Sequence, residues 1–551
     1  MLTISRLTRR RRWLVPAGSI LLLAAVFGGL AASSSGAHFG GFGAASRATD
    51  TASSSFVINM PVGPATLDPA EECGFTDLTI TLAVYTRLTQ YGSKPGPNGT
   101  TQVDPGHIVP YLAKSWDITR GGLVYTFHLR SGVKFSSGRP VNAAAVKYSF
   151  ERSINMGGCG GYFIYDGIYT PPLIKSITTP NALTVVITLS TPDANVLQDW
   201  AQPASSIIDK SVVDKHGGVQ KGKVNTYMAG HITPGAGPYL LQSYEPNKSA
   251  VLVANPGFFK QPAAKKVVIN FISSDPTLVL QARNGSADVT LGLTKQSAHS
   301  LASNSSLKVV ANNTSSAEQI GLPNDKPPFD NVKFREALTY AVPYQQILSK
   351  VAYGYGTLYY GAYPPAMPEF RANLEKPRTY NLTKAKQLIA ASGVQTPVSV
   401  SMNIQAGNAV DEQVATIAQG SWQQLGVNVT INKLSPSDYI NSLEQHKAQS
   451  YVRLDGPGVI EAGYFLGYDL KCGIGFNLSA TCIKKADTLL AQGRKTFNKA
   501  KRQAIWNQIN SLWIAASPKI PVYGDKYVAV VNKRVKNYFY SHETDFTSWS
   551  K

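Results

Sequence analysis

Residue types able to do chemistry are sparse in this chain and widely scattered. Ser131-Gly132-Val133-Lys134 has the Ser-x-x-Lys spacing that sets an amine base beside a nucleophilic hydroxyl, but no Lys-Thr-Gly accompanies it. The segment also reads as a hairpin turn, so chance explains it better than catalysis. The eight histidines lack His-Glu-x-x-His spacing, and neither a GxxxxGK[ST] phosphate loop nor a GxSxG elbow occurs. His128 sits mid-strand, opposite in direction to Phe127, and reads as a solvated or hydrogen-bonded residue. Hydrolase and nucleotidase readings therefore lack a starting point, and no cofactor is implied. The four cysteines, Cys73, Cys159, Cys472 and Cys482, show no CxxC or CxxH spacing, so a metal site is not expected. An even count suits an oxidising compartment. Of the three possible pairings we favour Cys73 with Cys159 and Cys472 with Cys482, because the second closes a short glycine-rich loop.

The 551 residues exceed a single small module and fit two to four domains or one elaborated fold. A hydrophobic share of 43% can fill a large core, which excludes a disordered chain. Arg6 and Arg9 to Arg12 precede the apolar run Trp13 to Leu30, and Ser35-Gly36-Ala37 offers small residues for cleavage. Residues 1–37 thus read as an export signal or, uncleaved, as a membrane anchor, since the apolar run approaches the ~20 residues that span a bilayer. Cleavage after Ala37 would lower the net charge from +20 to +15 by removing arginines. Residues 38–55, rich in Gly, Ala, Ser and Thr, form a flexible tether. The basic excess is spread thinly, without a basic stripe interleaved with aromatics, so nucleic acid is not an expected partner.

The elements that must position any site alternate between strands and helices. Val124 to Leu129 alternates strictly, as a half-buried strand does, and Asn142 to Arg152 places Val146 and Phe150 on one helical face. Ile80 to Leu88 reads as a helix. Strands at Leu183 to Leu189, Ala250 to Ala254, Lys266 to Phe271, Val398 to Ile404 and Asn428 to Lys433 are interleaved with helices at Pro276 to Asn284, Val332 to Val351, Leu382 to Ser392 and Val410 to Leu425. Helices Ile483 to Gln492 and Phe497 to Ala515 precede a final strand, Ile520 to Val531. The fold class is α/β, with mixed sheets flanked by helices.

Several segments, taken in order, resemble a known pattern. They are Thr66-Leu67-Asp68-Pro69-Ala70; Leu112 to Trp116 with Tyr125 to Phe135; Gly237-Pro238-Tyr239; Asn255 to Phe258; Asn284 to Val289; Lys326 to Leu338; Lys384 to Leu388; and Leu425-Gly426-Val427. Together they resemble the family 5 extracellular solute-binding proteins, the peptide and nickel receptors of ABC importers. The resemblance implies a two-lobed, type II periplasmic-binding-protein-like clamshell with an extra domain inserted in lobe one, closing on its ligand by a hinge movement. Mapped here, 56–90, 183–318 and 521–551 form lobe one, 91–182 the inserted domain and 319–520 lobe two. Hinge crossings fall near Gln319-Ile320-Gly321 and Ile520-Pro521. Ala341-Val342-Pro343-Tyr344 departs from the family pattern, and the proline should break the helix there.

The resemblance also implies a ligand held as an extended strand by main-chain hydrogen bonds, with an acid pairing with its α-ammonium. The corresponding stretch, Leu454 to Tyr464, lacks the usual Trp and Asp, leaving Asp455, next to Gly456, or Glu461 to supply the charge; either could equally be a solvated loop acid. The loop Asn403 to Asn408 has no Arg, so a strictly dipeptide-sized pocket with a buried carboxylate is disfavoured. Asn403, Gln405 and Asn408 would instead hydrogen-bond a peptide backbone or a sugar. Gly74, Phe75 and Thr76 would approach the ligand from lobe one, or form a disulfide-stapled turn. The expectation is an exported, extracytoplasmic, monomeric substrate-binding subunit that delivers an oligopeptide-like ligand to an ABC permease and performs no covalent chemistry. A receptor for a nickel chelate, oligosaccharide or other small solute, an anchored sensor and an SxxK-type hydrolase are the rivals.

Overall fold

The computed structural model describes residues 55–71, 78–165, 172–231, 233–473, 477–541 and 545–551. Two long strands, Leu307–Gly321 and Lys519–Asn532, run antiparallel through the centre of an eleven-stranded sheet among these residues. On one side lie Tyr451–Asp455, Val398–Gln405 and Val427–Leu434, the last two parallel to each other. On the other side come Val289–Thr290, Ser55–Met60, Lys266–Phe271, Ser249–Ala254 and Tyr239–Glu245. The central strands are buried along most of their length because side chains cover both faces, which calls for Val- and Ile-rich runs such as Val528 to Val531. The two sides have separate cores, one around Leu338, Met402 and Trp422, the other around Phe56, Ile269 and Trp549. The two central strands are thus the covalent link between two lobes.

Pro521 explains an irregularity in this link. It has no N–H for the ladder, and the register of the two strands slips between Glu318 and Gln319, opposite Pro521 to Tyr523. Gly321, at the expected hinge crossing, makes room for a neighbour: a Cβ there would lie 2.0 Å from the Tyr451 ring.

A smaller antiparallel layer holds Ala113–Thr119, Val124–Leu129, Thr184–Leu189 and Ile174–Asn181, paired in that order. Strand pairing carries this layer to residue 189, past the 182 limit expected from sequence. Helix Ala143–Met156 covers it, started by the Asn142 side chain accepting from the Ala145 N–H at 3.0 Å and ended at Gly157, whose φ of 71° suits glycine. Trp200 anchors the core, with the Tyr125, Phe127 and Phe150 rings 5.5, 5.8 and 6.0 Å away.

One helix expectation changes, and one break falls where it was expected. The helix expected over Ile80 to Leu88 occupies Leu78–Val84, and Thr89–Pro95 is a strand, because pairing with Thr101–Pro110 satisfies its backbone. The helix after Asn331 stops at Tyr340 and restarts at Tyr344, Pro343 being unable to donate the hydrogen bond that would continue it. Cys472 and Cys482 form a disulfide. The expected partnership of Cys73 with Cys159 lies outside the described residues. No helix among the described residues is long and apolar enough to cross a membrane.

Candidate ligand-binding cleft

The first central strand bulges where the lobes meet. Asn313 pairs with Lys526 and Ala317 with Gly524, so Thr314, Ser315 and Ser316 stand opposite the single residue Asp525. Thr314 Oγ1 braces the bulge, accepting from the Ser316 N–H at 3.1 Å and donating to the Asp525 carbonyl at 3.1 Å. The bulge forms one wall of a cavity of about 80 Å³, whose other walls include Lys94 and Gln102 of the paired strands Thr89–Pro95 and Thr101–Pro110, Pro365 and Ile460 of lobe two, and Tyr540. Ser315 Oγ is buried at this wall with no partner among the described residues. Lys94 Nζ sits 3.6 Å from Asp104, both side chains being partly exposed. Gln102 is engaged, accepting from Asn312 Nδ2 at 3.2 Å and donating to the Pro95 carbonyl at 3.0 Å.

The acids expected to meet a ligand are occupied by the protein. Glu461, 1% exposed, caps helix Ala462–Leu470 through the N–H groups of Gly463 and Tyr464. It also accepts from Arg494 Nη1 at 3.0 Å and Asn195 Nδ2 at 2.8 Å, so four donors meet the roughly four lone-pair positions of a carboxylate. Asp455 accepts from Gln319 Nε2 at 2.9 Å and stands 3.5 Å from both Arg453 and Lys519. Burial alone would raise its carboxyl, but Arg453, Lys519 and the Gly456 N–H together hold it below the usual carboxylate range. Gly456 lets this strand end approach the bulge, since a Cβ there would lie 2.3 Å from Ser316 Oγ.

Asn408 is the N-cap of helix Ala409–Gln423, and Asn403 bonds Ser442 and Asn432 at 3.1 Å each. Gln405 ends its strand, half-buried. None of these three lines the cavity, whereas Ile460, beside Glu461, does. Gly74, Phe75 and Thr76 lie outside the described residues. Ser131 and Lys134 are exposed on the surface of the small layer, and His128 bonds Asp117 at 2.8 Å, as expected of a strand surface.

One polar cluster joins lobe two to the small layer, and sequence reasoning named its Glu461 but not the partners. Arg494 of lobe two reaches Asp193 of the small layer as well as Glu461, and its carbonyl accepts the Ala194 N–H at 2.7 Å. Arg494 is 2%, Asp193 1% and Asn195 2% exposed. Just past the bulge, burial and the neighbouring Asp411 and Asp525 push the Glu318 carboxyl well above its ordinary value. Asp411 is pushed up to about 7 by burial, opposed by Arg453. The one available sequence signal for the cavity wall was the polar run Asn312 to Ser316 interrupting an otherwise apolar strand.

Residues 107–477 match the profile of the bacterial extracellular solute-binding proteins, family 5 Middle. The chain belongs to this family. Family 5 members are solute-binding proteins of transport systems rather than enzymes, and they act outside the cytoplasm. The probable D,D-dipeptide-binding periplasmic protein DdpA of Escherichia coli K12 is 27% identical over 491 residues, covering 88% of this chain and 91% of that protein. The glutathione-binding protein GsiB of Salmonella typhimurium is 25% identical over 460 residues, covering 79% and 84%. In fold, the chain resembles the ABC transporter-associated periplasmic binding protein DppA from Helicobacter pylori in complex with peptide STSA, with TM-score 0.75, 22% identity, and 90% and 98% of the two chains covered. The family 5 architecture agrees with the type II clamshell expected from the sequence.

Proposed function

We propose that this family 5 protein is the substrate-binding subunit of an ABC importer, capturing a peptide-like solute between its lobes and delivering it to a membrane permease. One observation carries the reading: a bulged hinge strand sets Thr314 and the buried Ser315, whose hydroxyl has no partner among the described residues, in the wall of an inter-lobe cavity. Irregular backbone at such a wall suits an extended ligand, whose own amide groups need partners once water is excluded. Peptide, dipeptide and glutathione binding in the names of its relatives points the same way.

In this reading the lobe limits are 56–90, 183–318 and 521–551 against 319–520, with 91–182 inserted and its sheet completed by the strand Thr184–Leu189. Residues 1–37 direct export and residues 38–55 tether a monomer that works at the cell surface or in the periplasm. Gly456 belongs to the cleft wall, and Asn403, Gln405 and Asn408 shape the ends of the lobe-two strands. Asp455 and Glu461 fix the position of that wall. Thermal-shift screening with tripeptide pools, oligosaccharides and a nickel–histidine chelate tests the proposal. Stabilisation by the peptide pools is expected; stabilisation by the sugars or the chelate alone would replace it.

A further inference from the structure

The charge around the cavity says which end of a peptide-like solute it reads. Among the described residues lining it, Lys94 is the one that carries a formal charge. The two acids nearest in sequence to the cavity residue Ile460 are saturated: Glu461 by Gly463, Tyr464, Arg494 and Asn195, Asp455 by Gln319, Arg453 and Lys519. An ammonium drawn into this cavity would lose its hydration, and no described residue lining it carries a carboxylate; Asp104, beside Lys94, lies outside the lining and also accepts from the Gly106 N–H at 3.3 Å.

Lys94 offers the opposite. Its pairing with Asp104 spans 3.6 Å between side chains 42% and 31% exposed, an arrangement that contributes little and can be exchanged for another carboxylate at small cost. Ser315 Oγ, buried with no partner among the described residues, lines the same cavity and is a hydroxyl donor available to a carboxylate or carbonyl oxygen. Size agrees with recognition of one end only. A cavity of about 80 Å³ holds on the order of six waters, enough for a terminal residue and too little for a whole oligopeptide.

We infer that the cleft selects peptide-like solutes by a carboxylate end, read by Lys94 with Ser315, and that its described lining offers no carboxylate to clamp an α-ammonium, so that N-blocked and free peptides bind alike. The inference rests on the peptide reading above and adds the substrate class to it: anionic or N-blocked peptides and similar small acids. The arrangement reverses the asymmetry that an ammonium-pairing Asp455 or Glu461 would produce.

The test uses the full exported chain and mixed-sequence tripeptide pools in free, N-acetylated and C-amidated forms, reading the pool concentration that gives half-maximal thermal stabilisation. N-acetylation should change that concentration less than about threefold, whereas amidation should raise it about tenfold or more. Lys94→Met, at a partly exposed site that leaves the core intact, should abolish the difference between free and amidated pools; retention of that difference overturns the assignment to Lys94. Loss of about tenfold on N-acetylation with amidation silent overturns the inference and leaves the peptide reading standing. Failure of all three pools to stabilise overturns the peptide reading, and the inference with it.

Discussion

Asp193→Asn isolates the contact that opening of the cleft must break. Separating the small layer from lobe two pulls Asp193 from Arg494, Asn195 from Glu461, and the Ala194 N–H from the Arg494 carbonyl. Asparagine keeps the size of Asp193 and can still accept the Asn195 N–H, which lies 2.8 Å from Asp193 Oδ1. It cancels one charge facing Arg494, which retains Glu461 at 3.0 Å. Since both partners are almost wholly buried, the loss is that of a charged hydrogen bond in a dry setting, ~1.5–3 kcal/mol, rather than the ~0–1 kcal/mol of a surface pair. Charged to lobe closure, that weakens ligand affinity by about 10- to 150-fold, at tenfold per ~1.4 kcal/mol. Calorimetric titration with a stabilising peptide, together with the radius of gyration of the unliganded protein from X-ray scattering, reads both sides of the equilibrium. The variant should bind more weakly and be more expanded. Wild-type affinity with an unchanged radius of gyration would show that this network is not broken on opening.

Stability should also depend on pH in a defined direction. Burial raises Glu375 to about 8 and Glu369 to about 7, and Asp411 also stands at about 7. A raised carboxyl holds its proton more tightly folded than unfolded, so its contribution is complete below the ordinary values of 4.5 for Glu and 3.8 for Asp and is lost as pH climbs through 7 to 8. Melting temperature should therefore fall between about pH 5 and 8 by differential scanning calorimetry, with Glu375→Gln flattening the fall. Gly321→Ala drives a Cβ to 2.0 Å from the Tyr451 ring and should cost ~1–3 kcal/mol in urea unfolding; a neutral result would mean that the ring moves freely. Reducing Cys472–Cys482, ten residues apart, should cost ~2–3 kcal/mol, seen as a lower melting temperature in dithiothreitol. Ser131→Ala should leave binding and stability unchanged in the same assays, the residue being an exposed hairpin position.

Much of the scaffold was legible because its rules are local. Val124–Leu129 alternates in sequence and in burial, since one face of its sheet packs on Trp200 and the other does not. Helix starts followed Asn142, Asn381, Asn408 and Asn498, each of which caps its helix through the side chain. The cleft was far less legible. Glu461 read equally as a ligand-pairing acid or a solvated loop acid, but its partners Arg494 and Asn195 are 33 and 266 residues away, and Arg494 meets Asp193 across 301 residues. No spacing rule connects positions so distant. The bulge at Thr314 to Ser316 was hidden for the opposite reason: polar residues in a central strand contradict its local pattern, and only the slip against Asp525 shows what they do.

Hydrogen exchange with and without a stabilising tripeptide pool tests the central claim most directly, because it reports where the solute binds. The account predicts slowed exchange at Asn313 to Ala317 and Lys94 to Val103, on the two sides of the inter-lobe cavity, and at Asp193 to Asn195 where the lobes close. Protection confined to the open depression of about 530 Å³ on lobe two, around Lys386, Thr396 and Gly426, would place the ligand outside the cleft and contradict it.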